Sequence, residues 1–160
     1  MHHHPTVVKE ANQLFVRFAR FEFALKRSGF AKPGKKKDKL TSAYSLAPDW
    51  DTFKNTKDVK DLWDRSSAEK AVQYLIQNPA KVYMSNGAQI GLGHAPPSPT
   101  TMPVLIDMVL RVRNNLFHGD KQAAGLERDT LLLRSCLAVI DLLLDANDRV
   151  RMEYEAPSGP

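Results

Sequence analysis

The chain has 160 residues, of which 42% are hydrophobic and 26% charged, with a formal net charge of +5 and a single cysteine. That length supports one core rather than two, the lone Cys136 excludes an intramolecular disulfide, and apolar runs as short as Leu131 to Leu133 and Leu142 to Leu144 exclude a membrane span. A cytoplasmic protein with no membrane partner is the expectation, and a pI near 9.4 favours an anionic partner, with RNA or DNA ahead of a lipid surface.

Met1-His2-His3-His4-Pro5 resembles an expression-tag remnant and is kept out of any metal argument; no basic-then-apolar leader is recognisable. The domain is expected over 6–150, with a C-terminal tail over 151–160. From Thr6 to Ser28 the apolar residues recur at helical spacing, and Gly29 is the stop signal. Lys32 to Lys39, KPGKKKDK, combines Pro, Gly and five lysines and is expected to be an exposed, mobile loop. Trp50 and Phe53 belong to one short helix, and Val59, Leu62 and Trp63 to another. Ser66 with Glu69 has the S-x-x-E spacing of a capping box, which predicts a helix from there to about Gln77. Val82-Tyr83-Met84 and Ala88-Gln89-Ile90 flank an Asn86-Gly87 turn signal, giving a small β-hairpin near residues 82–90.

After a proline-rich connector, Thr101 is a suitable N-cap and Pro103 is tolerated in a first turn, so the next helix is expected over Met102 to His118, with Gly119 beyond it. The last helix, near Leu126 to Val150, is apolar on almost every face and must be covered on several sides, by its own domain or by a second copy. The sum is a mainly α chain: a compact helical bundle of four to five main helices with that small hairpin.

Two charges stand where apolar residues belong. The first helix places Val7, Val8, Leu14, Phe15, Phe18, Phe21 and Leu25 on one face with Glu22 at its centre. The helix from Met102 places Arg113 within an arc of Met102, Leu105, Ile106, Val109, Leu110, Val112, Leu116 and Phe117. A charge in an apolar seam is costly unless it finds a partner, so Glu22 and Arg113 are expected to meet across a helix–helix contact. The pair then serves either as a buried structural bridge or as a device that orients a site. Asp107, Arg111, Asn114 and His118 share an adjacent polar flank, and Asn114 and His118, four apart, are neighbours. A guanidinium can hold phosphate oxygens through parallel hydrogen bonds, and a histidine near neutrality can move a proton.

Arg113-Asn114-Asn115-Leu116-Phe117-His118-Gly119 resembles the R-x4-H signature of the HEPN superfamily, with Arg113, Asn114 and His118 matching position by position. An early Phe-rich helix bearing Glu22 and a long leucine-rich last helix extend the likeness over most of the chain. His118 is followed by Gly119-Asp120, so the H-x-Y extension of toxins paired with nucleotidyltransferase antitoxins is lacking.

The resemblance implies a metal-independent endoribonuclease of toxin or defence type, acting without a cofactor as a homodimer through the motif helix and partnered by RNA and by an antitoxin or regulatory protein. It implies catalytic roles for Arg113, Asn114 and His118, and products ending in a 2′,3′-cyclic phosphate. Arg111, Lys35, Lys36 and Lys37 are the expected substrate-binding residues. The competing expectation is a non-catalytic HEPN-like helical module that binds a nucleotide, RNA or a protein partner. His94, His118 and Cys136 lack metal-site spacing, so no metal ligands are assigned.

Overall fold

The computed structural model describes residues 5–79, 83–85, 90–92, 96–117 and 126–156. Helix α1 spans Pro5–Arg27 and turns Leu14, Phe18, Phe21, Ala24 and Leu25 into the core, the three-to-four spacing that gives a helix one apolar face. It ends as its sequence predicts. Gly29 adopts φ +91°, and Phe30 N–H reaches back to the Leu25 carbonyl at 3.0 Å, which satisfies a carbonyl that the last turn leaves open.

The first correction follows at once. The lysine-rich segment expected to be a mobile loop is instead strand β1 (Ala31–Lys37), paired antiparallel with β2 (Tyr44–Pro48). Ala31 lies opposite Pro48, Pro33 opposite Leu46 and Lys37 opposite Tyr44, with a bulge between Pro33 and Lys37. A two-stranded ribbon has only edge strands, where Pro and Lys are tolerated. Gly34 is required here: a Cβ on it would strike the Ser45 side chain and lie 2.9 Å from the Ser45 carbonyl oxygen.

Helix α2 (Trp50–Lys54) buries Trp50 and Phe53, and its N-cap Asp49 accepts the Thr52 N–H at 3.1 Å. Val59 lies in α3 (Lys57–Lys60), whereas Trp63 opens α4 (Trp63–Ala68), so the second short helix of the sequence is in fact two. The capping box does not form. Ser66 is buried inside α4, its N–H already bonded to the Leu62 carbonyl at 2.8 Å, so it has no orphan donor to cap. Glu69 is an extended junction residue whose side chain caps nothing before α5 (Lys70–Gln77). Strands β3 (Tyr83–Ser85) and β4 (Ile90–Leu92) form the expected hairpin, one to two residues later than the sequence suggests. The Asn86-Gly87 turn lies outside the described residues.

Helix α6 (Met102–Phe117) is followed by α7 (Leu126–Leu144) and α8 (Asp148–Glu155). Helix α7 packs against α1, α5, α6 and α8, which explains why most of its circumference is apolar: its own chain covers Leu133, Cys136, Val139, Ile140 and Leu143, all inaccessible or nearly so, and leaves a narrow stripe with Leu131, Arg134 and Asp141 exposed. Ser135, buried in that helix, donates to the Ala71 carbonyl of α5 at 2.5 Å. The single last helix of the sequence is therefore broken, and helical structure continues to Glu155, into the segment expected to be tail. Asn147 makes the break by accepting the Val150 N–H at 3.0 Å, and α8 then lays Val150 and Tyr154 onto α1. Asn147→Ala is expected to cost about 1 kcal/mol, seen as a fall in melting temperature of roughly 2–4 °C; an unchanged melting curve would mean the cap contributes nothing. No helix among the described residues is long and apolar enough to cross a membrane.

Candidate functional site

The site is built where α1 crosses α6. Helix α6 buries Met102, Leu105, Ile106, Met108, Val109 and Val112, which leaves Arg113 at the margin of the seam, only partly exposed. Its guanidinium turns to α1: Nη1 donates to Glu22 Oε1, and the two groups form an ion pair. The expected meeting of these two misplaced charges is thus present. The pair is mostly covered, with 25% of the Arg113 side chain and 17% of the Glu22 side chain exposed.

Two further contacts fix the guanidinium. Its Cζ lies 4.5 Å from the centroid of the Phe18 ring, a cation–π distance. Phe18 precedes Glu22 by four residues, so a single face of α1 supplies both the ring and the carboxylate. Arg113 Nε donates to Asn114 Oδ1 at 3.3 Å, so the side chain at the next position is held to the same group. Asn114 itself is exposed.

Burial raises the Glu22 pKa above its ordinary value of 4.5, and this outweighs the lowering by the Arg113 guanidinium. The Trp50 indole N–H also leans on this carboxylate and lowers its pKa, although the contact falls short of hydrogen-bond geometry. The carboxylate is therefore held in a poorly solvated place by one principal partner. That is the arrangement in which removal of the partner costs most.

Along the polar flank of α6, Asp107 binds Lys54 at 2.8 Å, Lys54 binds Asp51 at 3.0 Å, and Asp51 faces Lys32 at 3.7 Å. A line of alternating charges thus runs from the base of the β1–β2 ribbon to the helix that carries Arg113. Arg111 is half-buried on α6.

The structure gathers Glu22, Arg113 and Asn114 into one contact group. Lys35, Lys36 and Lys37 stand apart on β1, and no hydrogen bond or ion pair among the described residues links them to that group. His118 follows the last residue of α6 and, like His94, lies outside the described residues.

Phe18, Trp50 and Lys54 are the participants that the sequence did not single out. Phe18 carried a signal, its i, i+4 spacing from Glu22; Trp50 and Lys54 are brought in by the turn after β2, which no local pattern announces. A guanidinium held from one side by a carboxylate, an aromatic face and an amide is a preorganised donor for an oxyanion, because its orientation is fixed before a ligand arrives. No family model matches the chain, and neither characterised proteins nor solved structures bring a match.

Proposed function

We propose that this protein is a metal-independent endoribonuclease of the HEPN type, a toxin- or defence-type enzyme restrained by a partner protein, that cleaves RNA across a homodimer formed through α6. The observation that carries the proposal is the Glu22–Arg113 pair, which fixes a guanidinium just before the last turn of a helix, five residues before His118. In this scheme the imidazole of His118 takes the proton from a ribose 2′-hydroxyl, the 2′-oxygen attacks the adjacent phosphorus, and the bond from phosphorus to the 5′-oxygen breaks. The second subunit's imidazolium protonates that leaving oxygen. Arg113 stabilises the charge that accumulates on the phosphoryl oxygens through Nη2, the nitrogen that neither Glu22 nor Asn114 engages. Asn114 orients the guanidinium, while Arg111, Lys35, Lys36 and Lys37 bind substrate phosphates. The products are a 2′,3′-cyclic phosphate and a 5′-hydroxyl, so the balance needs neither metal nor cofactor.

The burial of the pair favours one competing reading, a non-catalytic HEPN-like module in which the bridge merely holds α1 to α6. Incubation of the protein with end-labelled RNA in EDTA decides between them. Cleavage with cyclic-phosphate ends is expected, and His118→Ala should slow it by roughly 100- to 10,000-fold. Cleavage that survives this substitution, or that needs an added metal ion, overturns the proposal.

A further inference from the structure

The β1–β2 ribbon carries a concentration of exposed lysines that the described residues leave largely unpaired. Residues 31–49 hold five lysines and two aspartates, and both aspartates are turned to structural use. Asp38 accepts the N–H groups of Leu40 at 2.7 Å and Thr41 at 2.9 Å, and Asp49 caps α2. Lys32 has Asp51 at 3.7 Å, but Lys35, Lys36 and Lys39 have no carboxylate within ion-pair distance among the described residues and are all exposed. The pairing register shifts between Pro33 and Lys37, which interrupts the strict alternation of the strand. Concentrated positive charge of this kind raises the local potential and is relieved by a polyanion.

The same ribbon presents an aromatic ring. Tyr44, opposite Lys37, is 57% exposed, and its neighbour on that face, Leu46, is 64% exposed. The Lys37 ammonium lies 5.9 Å from the centroid of the Tyr44 ring. A large, water-exposed ring beside lysines is the pairing that single-stranded nucleic acids use, with the cations tracking phosphates while a base stacks on the ring. A duplex cannot offer this, because its base faces are already stacked, and the major groove of A-form RNA is too narrow for side chains to read.

We infer that the β1–β2 ribbon is a docking surface for single-stranded RNA, in which Lys35, Lys36 and Lys39 bind successive phosphates and Tyr44 is the stacking platform for a base. The inference deepens the ribonuclease reading, on which it rests for the identity of the polymer, by restricting the substrate to unpaired RNA. The ribbon base is tied to α6 by the Lys32–Asp51–Lys54–Asp107 chain, so a strand held there is led toward the flank that carries Arg111 and Asn114.

The test uses the full chain carrying His118→Ala, so that binding is read without cleavage, and a fluorescein-labelled oligouridine of about 16 nucleotides. Titrations between about 50 and 200 mM salt give the slope of affinity against salt. The combined change Lys35→Ala, Lys36→Ala, Lys39→Ala is expected to lower that slope by about 2. Tyr44→Leu is expected to weaken binding on the order of tenfold with the slope unchanged, and Tyr44→Phe to restore it. All these positions are exposed, and unchanged melting temperatures establish that the variants are folded. An unaltered slope in the lysine variant, equal affinity of the Leu and Phe variants, or binding of duplex RNA, duplex DNA or polyglutamate as tight as that of oligouridine each overturns the inference. Absence of cleavage by the unsubstituted protein, together with the expected binding pattern, sinks the catalytic proposal and leaves the docking surface standing.

Discussion

Phe21→Ala is expected to remove about 3–5 kcal/mol of stability and to lower the melting temperature by roughly 6–20 °C. The ring is completely buried and sits where three elements meet. It stacks on Trp50 of α2 at 5.4 Å with an interplanar angle of 14°, meets Phe53 edge-on at 5.7 Å, and contacts Tyr154 of α8 at 6.3 Å. Those neighbours are anchored independently: Trp50 also packs on Phe18 at 5.5 Å, and Phe53 on Phe30 at 5.2 Å. The cavity left by truncation therefore cannot collapse without moving α2 and α8 together, and sites that cannot collapse lie at the costly end of such series. Phe23, two residues further on and 54% exposed, provides the internal control. The Arg27 guanidinium lies 5.7 Å from its ring centroid, and Phe23→Ala should change stability by less than about 1 kcal/mol. Denaturant unfolding of the two variants compares them directly, and similar losses would contradict the packing described.

The contrast between Phe21 and Phe23 marks what the sequence makes legible. Residues at helical spacing in α1 and α6 announce both the elements and their buried faces, and a charge in each of those faces announces a partner because desolvating an unpaired charge is prohibitive. Glu22 and Arg113 could thus be matched across 91 positions. Where the signal was weaker, the local pattern misled. The lysines of β1 look like a solvated loop because the ribbon is stabilised by pairing with Tyr44–Pro48, a non-local event, while its side chains remain exposed. The break before α8 is hidden because α7 is apolar around most of its circumference, with a narrow exposed stripe that includes Arg134 and Asp141, so no clear change of face marks its end. The one local clue was Asn147 followed by Asp148, an N-cap with a first-turn acid. Ser66 and Glu69 had the right spacing for a capping box, but Ser66 faces the core and is already inside a helix. At the site, the Phe18 ring beneath Arg113 extends a face that the periodicity had already identified, whereas Trp50 and Lys54 arrive from α2, whose approach depends on how the ribbon turns.

Separate substitutions at Glu22 and Arg113 are expected to part stability from orientation. Arg113→Ala leaves a poorly solvated carboxylate without its main partner, and a loss of about 2–3 kcal/mol is expected, below the full range for a completely buried pair because both side chains retain some exposure. Glu22→Gln keeps an oxygen to accept from Nη1 and removes the charge whose burial is unfavourable. Its effect on stability follows from the sign of the pKa shift. Because burial raises the Glu22 pKa in the folded state, the folded protein holds that proton more firmly than the unfolded chain does. The contribution is fully present below the ordinary value of 4.5 and is lost as pH rises through the raised pKa. The stability of the unsubstituted protein relative to Glu22→Gln should therefore fall with rising pH across that window and stay level above it, so that near neutrality the variant is at least as stable. Melting temperatures of the two proteins from acid to neutral pH test this, and a relative stability that rises with pH would contradict it. RNA cleavage at neutral pH supplies the second axis. If Glu22 positions Arg113 for chemistry, weakening that anchor should reduce the rate by roughly 10- to 100-fold in a protein that has lost no stability. A rate unchanged by Glu22→Gln would reduce the pair to a bridge between α1 and α6, and the guanidinium would then need some other means of being aimed at a phosphate.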